Sequence, residues 1–243
     1  MFDHVTIRVA DRRASERFYR LVLQTLGVEP THAGEHLIEW NDFSLAAAID
    51  EKPPTRGLHI GFSAPSREHV DEFWRAGTAA GFRDDGTPGP RRQYGASYYG
   101  AFLLDPDGNS AEAVHHDSVR ADGTIDHLWI RVADVARARR FYELVGRFAG
   151  FVFRAEAEDP HRARFAGSSG SFSVVDGPVT QHVHVAFGVR DDAVVDEFHT
   201  AAIGAGYRDG GRPGERAWYH TGYYAAFVLD PDGNNVELVN HNR

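Results

Sequence analysis

The chain has 243 residues, of which 42% are hydrophobic and 25% charged, with a formal charge of −9 and no cysteine. Lack of cysteine excludes disulfides, thiolate metal sites and thiol nucleophiles, and the acidic balance argues against a nucleic-acid partner. Apolar stretches are short and broken by Arg, Asp or His, and the start MFDHVTIRV lacks a basic region followed by an apolar block, so a cytoplasmic protein without a membrane partner is expected.

The alternation in DHVTIRV predicts a half-buried first strand, and ADRRASERFYRLVLQTLG continues as a helix whose face is traced by Phe18, Leu21, Val22 and Leu26, with Gly27 as its stop. LHIGFSAP reads as the next leading strand and REHVDEFWRAGTAAGF as its helix. GTPGPRRQYGAS reads as a Gly/Pro-rich loop, and Asp105 to Gly108 as a tight hairpin turn with no further role. HDSVRADGTI is polar and patternless, which places a domain boundary near Asp117. The order then repeats: strand and helix from DHLWIRVAD, strand and helix from VHVAFGVRD, a loop in GGRPGERAWYHTG, and a turn at Asp230 to Gly233.

The second half restates the first. FDHVTIRVADRRASERFY matches IDHLWIRVADVARARRFY, and GASYYGAFLLDPDGNSAEAVHH matches HTGYYAAFVLDPDGNNVELVNH. A shorter period of a little over fifty residues divides each copy again, giving four βαβββ modules at 2–50, 57–117, 125–177 and 181–241, in domains 1–117 and 118–243.

Within this repeat, His4, His59 and Glu112 recur as His127, His184 and Glu237. The two histidines are 55 residues apart in one copy and 57 in the other, and the second histidine precedes the glutamate by 53 in both. Two imidazoles and one carboxylate leave open positions on a metal and suit Fe2+ or Mn2+, with Zn2+, Ni2+ and Co2+ as further options.

Through DHVTIRV, ERFY, LHIGF and GAFLLDPDGNSAEAV and their counterparts, nearly the whole chain resembles the vicinal-oxygen-chelate superfamily of glyoxalases, bleomycin resistance proteins and extradiol dioxygenases. The resemblance implies an α+β fold of tandem domains, in which four βαβββ modules form two curved, U-shaped mixed sheets with flanking helices, and it places the six residues above at metal-ligand positions. Glyoxalase I members usually add a fourth ligand from the strand that closes the first module. Leu45, Ala46, Ala47, Val174 and Val175 cannot coordinate, so the set is more similar to extradiol dioxygenases or manganese-dependent fosfomycin-modifying enzymes. Modules pair in sequence order in some members and exchange between halves in others. Exchange would join His4 with His184 and Glu237, and His127 with His59 and Glu112.

Strand periodicity puts Thr6 and Arg8 on the face of His4, and Trp129 and Arg131 on that of His127. Arg8, Arg131 and Trp129 are therefore expected at the substrate pocket, with Tyr94, Tyr98, Tyr219 and Tyr223. Tyr99, Tyr224 and His220, which has only Gly95 opposite it, are the expected acid/base groups. His116 and His241 are read as exposed strand ends. Together these features point to a metal enzyme acting on a small molecule with adjacent oxygens, by dioxygenation, isomerisation or lyase chemistry, as a monomer or homodimer. The alternatives are an antibiotic-binding protein of the bleomycin-resistance type and a chain with only one catalytic domain.

Overall fold

The computed structural model describes residues 1–117, 123–154, 159–167 and 170–243; residues 118–122 of the expected linker lie outside them. The first half of the chain gives β1 (Phe2–Val9), α1 (Arg12–Gln24), β2 (His32–Ala33), β3 (Leu37–Trp40), β4 (Phe43–Ala47), β5 (His59–Ser63), α2 (Arg67–Ala79), β6 (Arg83–Pro90), β7 (Tyr99–Leu104) and β8 (Ser110–His115). The second gives β9 (Ile125–Val132), α3 (Val135–Ala149), β10 (Val152–Arg154), β11 (Arg162–Ala166), β12 (Ser171–Asp176), β13 (His184–Gly188), α4 (Asp192–Gly204), β14 (Arg208–Glu215), β15 (Tyr224–Leu229) and β16 (Asn235–Asn240).

Helices α1, α3 and α4 start where the sequence supplies a side-chain cap. The side chains of Asp11, Asp134 and Asp191 accept backbone N–H groups in the first turns of α1, α3 and α4, and Gly150 closes α3 in the left-handed conformation. In α1 the buried face is Phe18, Tyr19, Val22 and Leu23, with Leu21 half-buried and Leu26 buried beyond the helix end. Burying such side chains is worth about 2 kcal/mol each, enough to outweigh the modest helix propensity of the β-branched and aromatic ones.

Among the described residues the strands form two eight-stranded sheets, ordered β14-β15-β16-β13-β1-β4-β3-β2 and β10-β11-β12-β9-β5-β8-β7-β6. Each combines the modules of opposite halves, which settles the pairing left open by sequence in favour of exchange. By internal contacts the chain divides into Met1–Val5 with Ile130–Arg243, and Thr6–Trp129, so β1 and β9 each run from one unit into the other.

Two expectations are corrected. The Gly/Pro-rich segments begin as strands, up to Pro90 and Glu215, and only their second parts are loop: β6 and β14 sit at sheet edges, where each pairs with one neighbour and its register shifts around Gly86 and Gly211. An edge tolerates prolines such as Pro88 and Pro213 because a missing N–H costs no ladder bond on the open side. The Asp-Pro-Asp-Gly turns also do more than turn. Asp105 accepts from the Tyr19 hydroxyl (3.0 Å), Asp107 from the Ala10 N–H (2.9 Å) and Asp230 from the Tyr142 hydroxyl (3.2 Å), tying the turns to α1, to the connection from β1 to α1, and to α3. No helix among the described residues is long and apolar enough to cross a membrane.

Candidate metal centres

Strand register builds both triads the same way. Across β9, β5 and β8, His127, Gly61 and Glu112 lie in one row, with Trp129, His59 and Ser110 in the next, so three donor side chains converge over the glycine. On β13 and β16, His184 pairs with Asn235 and Ala186 with Glu237, and His4 of β1 completes the second set.

In the set His59, His127 and Glu112, the two Nε2 atoms are 3.2 Å apart and lie 3.0 and 3.3 Å from Glu112 Oε2. In the set His4, His184 and Glu237 the corresponding distances are 3.1, 2.9 and 3.6 Å, with His4 the more distant from the carboxylate. Two donors each about 2.1 Å from one ion stand about 3.0–3.4 Å apart at octahedral to tetrahedral angles; five of the six separations match that range to about 0.1 Å, and His4 would close on Glu237 by about 0.2 Å to share a single divalent cation. The donor chemistry agrees: imidazole nitrogens and a carboxylate oxygen converging on one point repel unless a proton or a cation lies among them.

The surroundings orient the donors. Tyr98 donates to Glu112 Oε1 (2.8 Å) and Tyr223 to Glu237 Oε1 (2.7 Å), leaving each Oε2 for the histidines. Burial and the adjacent carboxylates push both phenols far above their usual range, so they stay protonated donors. Burial opposes ionisation of Glu112, but hydrogen bonds from His127 and His59 outweigh it and hold the carboxyl down to about 2. Burial likewise disfavours a charged His127, yet Asp126 and Glu112 raise it to about 9. His4 Nδ1 donates to Asp3 (2.8 Å) and His127 Nδ1 to Asp126 (2.9 Å). His59 Nδ1 meets Ser110 Oγ (3.2 Å), which donates to Asp85 (2.7 Å), and the Asn235 amide lies 2.9 Å from His184 Nδ1.

Several expected site residues take other places. Tyr99 and Tyr224, expected as acid/base groups, are not brought to the triads: their hydroxyls donate to Asp71 of α2 and Asp196 of α4, both at 2.8 Å. Adjacent strand residues face opposite ways, and it is Tyr98 and Tyr223 that face the glutamates. His220 bonds to His241 (2.9 Å) and to the Thr221 carbonyl (2.8 Å). His116 and His241 are not free strand ends: they donate to Asp126 (2.9 Å) and Asp3 (2.8 Å). Arg8 donates to the Ala47 carbonyl (3.1 Å), and the Arg131 backbone N–H to Thr180 (2.9 Å). Trp129 lies 5.4 Å from the rings of both His59 and Tyr94, and Tyr219 lies 4.9 Å from Tyr223. Sequence reasoning missed Asp3, Asp126, Gly61 and Gly100, although Asp recurs immediately before the leading histidine in both copies.

The model of the Glyoxalase/Bleomycin resistance protein/Dioxygenase superfamily matches residues 1–113 and 124–238. No curated protein matches the chain in sequence. Among solved structures, glyoxalase I from Zea mays is 18% identical at a TM-score of 0.70, covering 99% of this chain and 92% of its own. A Bacillus subtilis protein provisionally called a dioxygenase is 12% identical at a TM-score of 0.65, covering 100% of this chain and 85% of its own. At these identities the likeness is one of fold.

Proposed function

Because the chain belongs to the Glyoxalase/Bleomycin resistance protein/Dioxygenase superfamily and carries two His-His-Glu triads, we propose that it is a divalent-metal enzyme that binds adjacent oxygens of a small substrate. The observation that carries this reading is the convergence of three donor atoms in each set at separations suited to one ion. Fe2+ or Mn2+ suits the donor set best. When bound, such an ion supplies Lewis acidity toward the substrate oxygens and, if it is iron, redox capacity for dioxygenation.

The residues around it divide the remaining work. His59, His127 and Glu112, and likewise His4, His184 and Glu237, would hold the ion on one side. Tyr98 and Tyr223 keep their protons and fix the glutamate oxygens. Trp129 packs against His59 and His127 and edge-on to Tyr94, which in turn packs on Tyr98, and offers a flat apolar wall to the substrate. Dioxygenation, isomerisation and lyase chemistry all accord with such a site.

Metal content after anaerobic loading with Fe2+ or Mn2+ tests the proposal. About two equivalents per chain are expected. No uptake at either ion would overturn it and favour a protein that binds its small molecule without reaction.

A further inference from the structure

Each triad has one histidine held in the same way. His127 Nδ1–H donates to Asp126 Oδ2 (2.9 Å), and the other oxygen of Asp126 accepts from His116 Nε2 (2.9 Å). His4 Nδ1–H donates to Asp3 Oδ1 (2.8 Å), and the other oxygen of Asp3 accepts from His241 Nε2 (2.8 Å). A carboxylate accepts only, so a histidine bonded to it through Nδ1 keeps a proton there and leaves Nε2 as the nitrogen an ion can take. Asp3 and Asp126 cannot turn away, because their second oxygens are held as well.

The outer ends differ. His116 stacks on Tyr98 at 6.0 Å with an interplanar angle of 15°. His241 stacks instead on His220, 5.2 Å away at 18°, and shares a hydrogen bond with it. The position of His220 is Gly95 in the other copy, which therefore has no imidazole at that place.

We propose that Asp3 and Asp126, braced by His241 and His116, are positioning residues that fix His4 and His127 for metal binding through Nε2, and that His220 adds a brace to the His4 triad alone. This rests on the metal-enzyme reading above. It identifies neither residue with a chemical step, because neither touches the point on which the donors converge.

Two measurements test it. In the full chain loaded with Zn2+, long-range 1H–15N correlation spectra should show His4 and His127 protonated at Nδ1 and ligated through Nε2. Ligation through Nδ1 would overturn the inference without any variant. Titration with Co2+ then compares affinities one triad at a time, in a Glu237→Gln background for the His127 triad and a Glu112→Gln background for the His4 triad. Asp126→Ala and Asp3→Ala should each weaken binding about 10- to 100-fold. Asp126→Asn and Asp3→Asn, whose side-chain oxygens still accept from Nδ1–H, should recover most of that loss. Unchanged affinity in both alanine variants would overturn the positioning role. His220→Gly should weaken the His4 triad a few-fold and leave the other unchanged, and an equal effect on both would remove His220 from the scheme. If the unaltered chain takes up no ion, the metal reading itself fails; if it does and the aspartate variants bind as tightly, only this inference fails.

Discussion

The two triads are built from the same register and differ in what surrounds it. The side chains of His59 and His127 are each 9% exposed, against 24% for His4 and 20% for His184. Trp129 packs edge-on against Tyr94, itself 41% exposed, beside the first set, whereas Tyr219 and its neighbour Trp218 stand 61% and 74% exposed on the corresponding loop. Closeness of fit differs too. A Cβ at Gly61 would come within 2.3 Å of the His127 ring, and one at Gly100 within 2.4 Å of Glu112 Oε1, yet the equivalent positions in the other copy are Ala186 and Ala225. Duplication has kept the donors while each copy repacked around them, leaving one closed and one open centre.

The largest effect separates the centres outright. Glu112→Ala should remove one equivalent of metal and Glu237→Ala the other, as elemental analysis would read, and retention of both ions in either variant would break the pairing. Gly61→Ala should weaken the closed centre alone, because overpacking of about 1–3 kcal/mol falls on the His127 ring. Ala186→Gly should leave the open centre's affinity nearly unchanged. Titrations in the two glutamine backgrounds would show both, and equal losses would erase the distinction.

Smaller effects sharpen it. In the metal-free protein His127 is raised from 6.5 to about 9, so an ion must displace a proton at neutral pH. Affinity of the closed centre for Mn2+ should then rise about tenfold per pH unit until pH approaches 9, and a flat profile would contradict the proton on His127. The same shift stabilises the metal-free fold fully below pH 6.5, and that contribution is lost as pH rises through about 9, which apo melting curves would follow. Tyr98→Phe and Tyr223→Phe leave one buried glutamate oxygen without its donor, a cost of about 1–3 kcal/mol. Either should weaken its own centre about tenfold.

The candidate triads were legible as residues because duplication repeated both spacings, and the α+β architecture because the repeat unit itself reads as a strand, a helix and further strands. Module pairing was not legible: His4 lies at the same sequence distance from His59 whichever strands pair, and only register shows that its partner is His184. Tyr98 and Tyr99 were seen together, but choosing between them needs the strand's phase relative to Glu112, which one residue reverses. Asp126 was visible beside His127 and His116 four residues past Glu112, yet their bond spans β9 and the end of β8, a contact made by tertiary pairing. The Gly/Pro-rich edge strands were hidden because local composition signals turns, whereas their strand character comes from pairing with β7 and β15.

Anomalous diffraction from crystals of the Mn2+-loaded protein would show where the ions sit. Two peaks per chain are expected, one among His4, His184 and Glu237 and the other among His59, His127 and Glu112. Peaks elsewhere, or an ion shared by His4 and His59, would contradict that placement.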